Sequence, residues 1–131
     1  MPILEKIVKL EKEAEAFGFK WENTDQIMAQ ILSECDEVTD QLKNAAHDPG
    51  KKKLEEEMGD LLHAVFSLCV FCRLSPKATL EKTLTKFERR LGAVKQLANT
   101  QGLMTLENHS FNELMEYWKQ AKKIVDEIPL K

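Results

Sequence analysis

Three features of this chain predict an all-α fold, a helical bundle of about five helices with an antiparallel central hairpin. Apolar residues recur every three or four positions in five segments, and nowhere alternate as a half-buried strand requires. Turn-forming runs lie between those segments: Gly18, His47-Asp48-Pro49-Gly50, Ser75-Pro76, and a loop with Gly102. With 131 residues, 43% hydrophobic and 31% charged, the chain reads as one domain, 1–131, large enough for a core and too apolar for disorder.

The first helix covers Met1 to Phe17, with Ile3, Ile7, Leu10 and Ala14 as its apolar side, and stops at Gly18. After Phe19-Lys20-Trp21, Asn23 or Thr24 caps a second helix, roughly Asp25 to Ala46. Its stripe is Ile27, Ile31, Leu32, Cys35, Val38 and Leu42. The third opens in Lys51-Lys52-Lys53 and runs to about Arg73, with Leu54, Met58, Leu61, Leu62 and Val65 facing inward. From Leu61 to Cys72 it is apolar almost all round, interrupted by His63 and Ser67. A helix greasy on every side needs cover on every side, so dimerisation through this helix is expected.

Pro76 starts the fourth helix at the position proline favours, and Leu80, Leu84, Phe87, Leu91 and Val94 form its stripe. A loop from Asn99 to His109 leads to Ser110-x-x-Glu113, a capping box. Phe111, Leu114, Met115, Trp118, Ala121 and Val125 then recur at helical spacing, and the chain is expected to fray beyond Pro129.

Composition narrows the function classes. A net charge of −3 offers no basic excess for a nucleic-acid duplex. The start has no signal-peptide shape, and no stretch is uncharged for long enough to span a bilayer. Three cysteines, an odd number, then point to reduced thiols and a cytoplasmic location. Cys69-x-x-Cys72 lies inside an apolar helical run and reads as two small core residues rather than a redox pair.

The chemistry resides in two acidic pairs, Glu34-x-x-Glu37 and Glu57-x-x-Asp60. One-turn spacing puts each pair on one side of its helix, and the hairpin brings the two pairs together. Four like charges at one point call for a cation, and an all-oxygen set suits Mg²⁺ or Mn²⁺. The competing reading, solvated surface charge, would suffice for one pair but fits two pairs beside an apolar stripe poorly. Asp36 and Asp40 fall on the far side and read as solvated. A di-iron oxidase would want Glu-x-x-His motifs, which are missing; His63 reads as a surface or interface residue, with metal ligation the minority reading. Lys86 and Arg90, one turn apart, form a solubilising ridge or, with Lys53, a clamp for a polyphosphate. Lys53 also has the spacing to pair with Glu57. Trp118 reads as core, and Trp21 as core or base platform.

In order along the chain, Gly18-Phe19-Lys20-Trp21, Glu34-x-x-Glu37, Glu57-Met58-Gly59-Asp60-Leu61-Leu62, Lys86-Phe87-Glu88-Arg89-Arg90-Leu91 and Gln101-Gly102-Leu103 resemble the MazG family of all-α nucleoside triphosphate pyrophosphohydrolases. The likeness is greatest to the catalytic second half of two-domain bacterial members, standing alone. It implies hydrolysis of an NTP or dNTP to monophosphate and pyrophosphate, with Mg²⁺ on Glu34, Glu37, Glu57 and Asp60, in a dimer or dimer of dimers. It further implies Glu56 beside the ligands to activate water, Lys53, Lys86 and Arg90 at the phosphates, and Trp118 and Lys122 near the nucleotide. Ser33 and Leu84 depart from the family pattern, where a further Glu and an Asn are frequent. Those departures support the alternative, a helical regulatory or interaction protein that keeps the domain without turnover.

Overall fold

Capping chemistry sets where each helix starts and stops. In the computed structural model, which describes residues 1–127, α1 spans Ile3–Phe17 and ends on Gly18. Gly18 takes φ 97°, a left-handed conformation that glycine adopts without a Cβ penalty, and its N–H and that of Phe19 close on Glu15 and Ala14. Helix α2, Thr24–Lys43, starts at Asn23, whose side chain accepts from Gln26 N–H at 3.0 Å. It stops before Ala46 because Asn44 turns back on Asp40 C=O through both its N–H and its side-chain amide. A 3₁₀ turn, Ala45–His47, follows.

Helix α3, Lys52–Phe71, is capped from outside itself, by Asp48 Oδ2 accepting from Lys53 N–H at 3.0 Å. Cys72, expected in the core, instead ends this helix and is exposed, because Arg73 enters the left-handed region (φ 62°) and turns the chain outward. All three cysteines are free thiols. Ser75 accepts from Ala78 N–H and opens α4, Pro76–Thr100. The capping box forms at α5, Phe111–Asp126: Ser110 and Glu113 exchange side-chain and backbone hydrogen bonds, which hold the Glu113 carboxyl below its usual pKa. The described residues contain five α-helices and no strand, an all-α fold. None of these helices alone is long and apolar enough to cross a membrane. The expected fraying beyond Pro129 lies outside the described residues.

The chain divides into two compact units, Met1–Thr79 and Leu80–Lys131. In the first, α2 and α3 form the main packed pair, with α1 on α3. Their faces keep Ile27, Ile31, Cys35, Val38, Leu54 and Leu61 of the expected apolar stripes and are rotated part-way from the rest. On α2 the covered side is Ile27, Gln30, Ile31, Glu34, Cys35, Val38 and Gln41, whereas Leu32 is 61% exposed. On α3 it is Leu54, Glu57, Leu61, Ala64 and Leu68, whereas Leu62 is 59% exposed. Each helix thus carries two apolar lines and commits one of them inside the chain.

Helix α1 shows the same rotation. Leu4, Ile7, Val8, Glu11 and Ala14 are partly covered, while Ile3, Leu10 and Phe17 point out. Glu11 belongs on the covered side because one of its oxygens serves two α3 groups. Ser67 Oγ donates to Glu11 Oε1 at 2.7 Å, and His63 Nε2 lies 2.8 Å from the same atom. Glu15 and Arg73 pair at 3.7 Å further on, so α1 and α3 run the same way. In the second unit Ala98 and Ala121 are buried, while Leu84, Phe87 and Phe111 remain largely exposed.

Glu11 is 19% exposed and Ser67 is buried, so losing the acceptor strands a hydroxyl away from water. Glu11→Ala should cost about 1–3 kcal/mol in urea denaturation. The exposed neighbour Glu13→Ala should stay within about 0.5 kcal/mol of the parent.

Candidate metal centre

Three carboxylates meet where α2 packs on α3. Oxygens of Glu34, Glu37 and Glu57 all lie within 4.8 Å of one another. The helical register explains it: Glu34 sits in the covered face of α2, Glu37 one turn on, and Glu57 in the covered face of α3. Gln30 Nε2 donates to Glu34 Oε1 at 2.7 Å and fixes that side chain. The other oxygen, Glu34 Oε2, is buried with no hydrogen-bond partner among the described residues. A buried, acidic, unpartnered oxygen is costly in protein alone. The all-oxygen donor set and this orphaned atom both fit a hard divalent cation such as Mg²⁺ or Mn²⁺.

Asp60 follows Glu57 by one turn and is exposed; it lies outside the tight group of three but close enough to act on Glu57 by charge. Glu56 and Lys53 are exposed on α3. Among the described residues no ion pair joins Lys53 to Glu57, so the nearest lysine on the helix does not discharge the cluster. His63 is committed to Glu11, not to the acidic group.

The remaining candidates belong to the second unit. Lys86 and Lys122 are exposed on α4 and α5. Arg90 is no solubilising ridge residue: its side chain is mostly buried, paired with Asp126 and placed over the Trp118 ring. Trp118 is half-buried, with its ring 5.8 Å from that of Phe87. Both rings line an apolar hollow of about 350 Å³ with Leu91, Leu114 and Met115. Sequence reasoning missed Asp126 and Glu11. Trp118, Lys122 and Asp126 follow at four-residue intervals, and Glu11 interrupts the line Leu4, Ile7, Val8, Ala14, but that spacing does not name the distant partner of either acid.

Crowding shows in the protonation of the cluster. Glu57 is raised from its ordinary 4.5 to about 7, first because Glu37 hydrogen-bonds to its protonated form, then through desolvation and the charges of Glu37, Asp60 and Glu34. The folded protein therefore binds a proton that the unfolded chain gives up. For a raised pKa the associated stabilisation is complete below the unfolded value and is lost as pH rises through the folded one. In EDTA, the urea midpoint should carry a component that falls between pH 4.5 and 7. Glu57→Gln should remove that component, and Mg²⁺ should raise the parent's midpoint more at pH 8 than at pH 5.

Comparison with known proteins sets this geometry in a family. The model of the MazG nucleotide pyrophosphohydrolase domain matches residues 22–94, more than half of the chain, including the acidic cluster, Lys86 and Arg90. A Thermotoga maritima protein named nucleoside triphosphate pyrophosphohydrolase/pyrophosphatase MazG is 32% identical over 122 residues, 93% of this chain and 45% of its own length. The nucleoside triphosphate pyrophosphohydrolase of Escherichia coli K12 is 32% identical over 123 residues, 94% of this chain and 46% of its own length. The chain thus spans a little under half the length of these curated relatives. A match of this extent, falling on the helices that bring the three carboxylates together, shows that the chain belongs to the MazG nucleotide pyrophosphohydrolase family.

Proposed function

We propose that this chain hydrolyses nucleoside triphosphates, ribo- or deoxyribo-, to the monophosphate and pyrophosphate, as one MazG-like domain serving house-cleaning or nucleotide-pool control in the cytoplasm. The observation that carries this reading is the Glu34, Glu37 and Glu57 cluster with its unpartnered buried oxygen. Family membership and the names of the relatives support the reaction type.

Glu34, Glu37, Glu57 and Asp60 would hold the cation. Bound there, Mg²⁺ or Mn²⁺ supplies positive charge against the triphosphate and acidifies the attacking water. Glu56, exposed beside Glu57, accepts the proton that the water loses. The water oxygen bonds to the α-phosphorus, and the bond from that phosphorus to the α,β-bridging oxygen breaks, releasing pyrophosphate. Lys53, Lys86 and Arg90 offset charge on the phosphoryl oxygens and the leaving group. Trp118 and Lys122 attend the nucleotide.

The functional form is a homodimer or a dimer of dimers. Met28, Leu32 and Leu42 on α2 and Met58, Leu62 and Val65 on α3 are exposed at helical spacing. Contiguous apolar surface of this kind marks an interface, and a second copy carrying the same lines is its occupant. The exposed α3 line falls in the helix whose sequence called for cover on every side.

Pyrophosphate release from a panel of NTPs and dNTPs, with and without Mg²⁺, tests the proposal. Glu57→Ala and Asp60→Ala should each lower turnover by at least about 100-fold while leaving the helical circular dichroism intact. Turnover retained in both variants would remove the metal assignment, and silence of the parent across the whole panel would favour a binding role.

A further inference from the structure

The second unit contains a polar assembly with no part in the acidic cluster. Arg90 on α4 is 16% exposed, and its Nη2 donates to Oδ1 and Oδ2 of Asp126 on α5 at 3.2 and 3.1 Å. Its guanidinium carbon lies 5.7 Å from the centroid of the Trp118 ring. Its Nε is buried and has no hydrogen-bond partner among the described residues.

A guanidinium is flat and rigid, and two contacts restrain this one: a nitrogen on Asp126 and its central carbon over the Trp118 ring. An ordinary surface pair leaves both side chains mobile in water and contributes little. Here the arginine is largely desolvated, whereas its aspartate is 54% exposed, so the cation is the partner being held. The pair uses one nitrogen and leaves Nε stranded. A planar cation fixed in direction, with donors unspent, is suited to a second oxyanion. Trp118, Lys122 and Asp126, four residues apart on α5, share one face of that helix.

We propose that Asp126 is a positioning residue that presents Arg90 to the phosphate chain of a nucleotide; this rests on the pyrophosphohydrolase reading. Asp126 does not touch the substrate and acts only through the guanidinium. Lacking the carboxylate, the Arg90 fork loses its fixed plane, and phosphate binding weakens.

The test uses Asp126→Asn, Asp126→Glu, Arg90→Ala and the Asn/Ala double variant, each checked for fold by circular dichroism and melting. The readouts are kcat and KM for the preferred NTP, calorimetric binding of inorganic pyrophosphate, and Trp118 fluorescence in a Trp21→Phe background. Asp126→Asn should raise KM and the pyrophosphate Kd by about tenfold, with kcat changed less than about threefold. Asp126→Glu should recover much of the loss, and the double variant should be no worse than Arg90→Ala alone. Trp118 emission should shift in Asp126→Asn and in Arg90→Ala alike.

A parental KM and Kd in Asp126→Asn would overturn the proposal. So would tighter pyrophosphate binding, which would make Asp126 a competitor, or losses that add to those of Arg90→Ala. Should the parent hydrolyse no NTP, the functional reading fails separately, while pyrophosphate binding and fluorescence still decide the role of Asp126.

Discussion

Three carboxylates within 4.8 Å of one another, two on covered helix faces and one exposed at their edge, are the constraint around which the first unit is organised. Helices normally bury apolar side chains where they meet, because removing hydrocarbon from water is the main gain. Here the α2–α3 meeting surface spends part of its area on Glu34 and Glu57 and on the glutamine that orients one of them, with Glu37 exposed at its edge. Protein groups alone leave the arrangement unresolved. One carboxyl is driven toward protonation, and one buried oxygen has no donor. A divalent cation would resolve both at once.

Acids on the inner faces displace apolar surface outward. Leu32 and Leu62, which would otherwise fill the hairpin, stand open, as do Met28, Met58 and Val65. The same two helices that converge on the acidic cluster therefore present a second hydrophobic lining to the outside. In the proposed assembly the two demands meet in the same hairpin: an acidic face turned inward for chemistry, an apolar face turned outward for a second copy.

Much of this was legible in the sequence. Helical periodicity and breakers located all five helices, and the caps at Asn23 and Ser110 act as read. One-turn spacing of Glu34 with Glu37, and the hairpin leading to Glu57, foreshadowed the cluster. Rotation about the helix axes was not legible. On α2 and α3 two apolar lines run side by side, and hydrophobic pattern alone does not say which one meets a neighbour in the chain and which stays outside. Glu11 and Asp126 escaped for another reason. Each is an acid whose partner lies far along the chain, His63 and Ser67 for one and Arg90 for the other, and local spacing carries no such information.

Both units use carboxylates to position other groups. In the first, Glu11 ties α1 to the helix that carries Glu57; in the second, Asp126 pairs with a guanidinium that lies over an indole. Neither side chain is needed to make its helix, so each reads as a choice imposed by what it holds. Whether the acidic cluster is a cation site decides the chemistry of the first unit. The direct measurement is calorimetric titration of Mn²⁺ into the metal-free protein near pH 7, in two buffers of different ionisation enthalpy. Binding accompanied by proton release, with the release lost in Glu57→Gln, is the predicted result. Absence of saturable binding, or binding with no proton displaced, would contradict it.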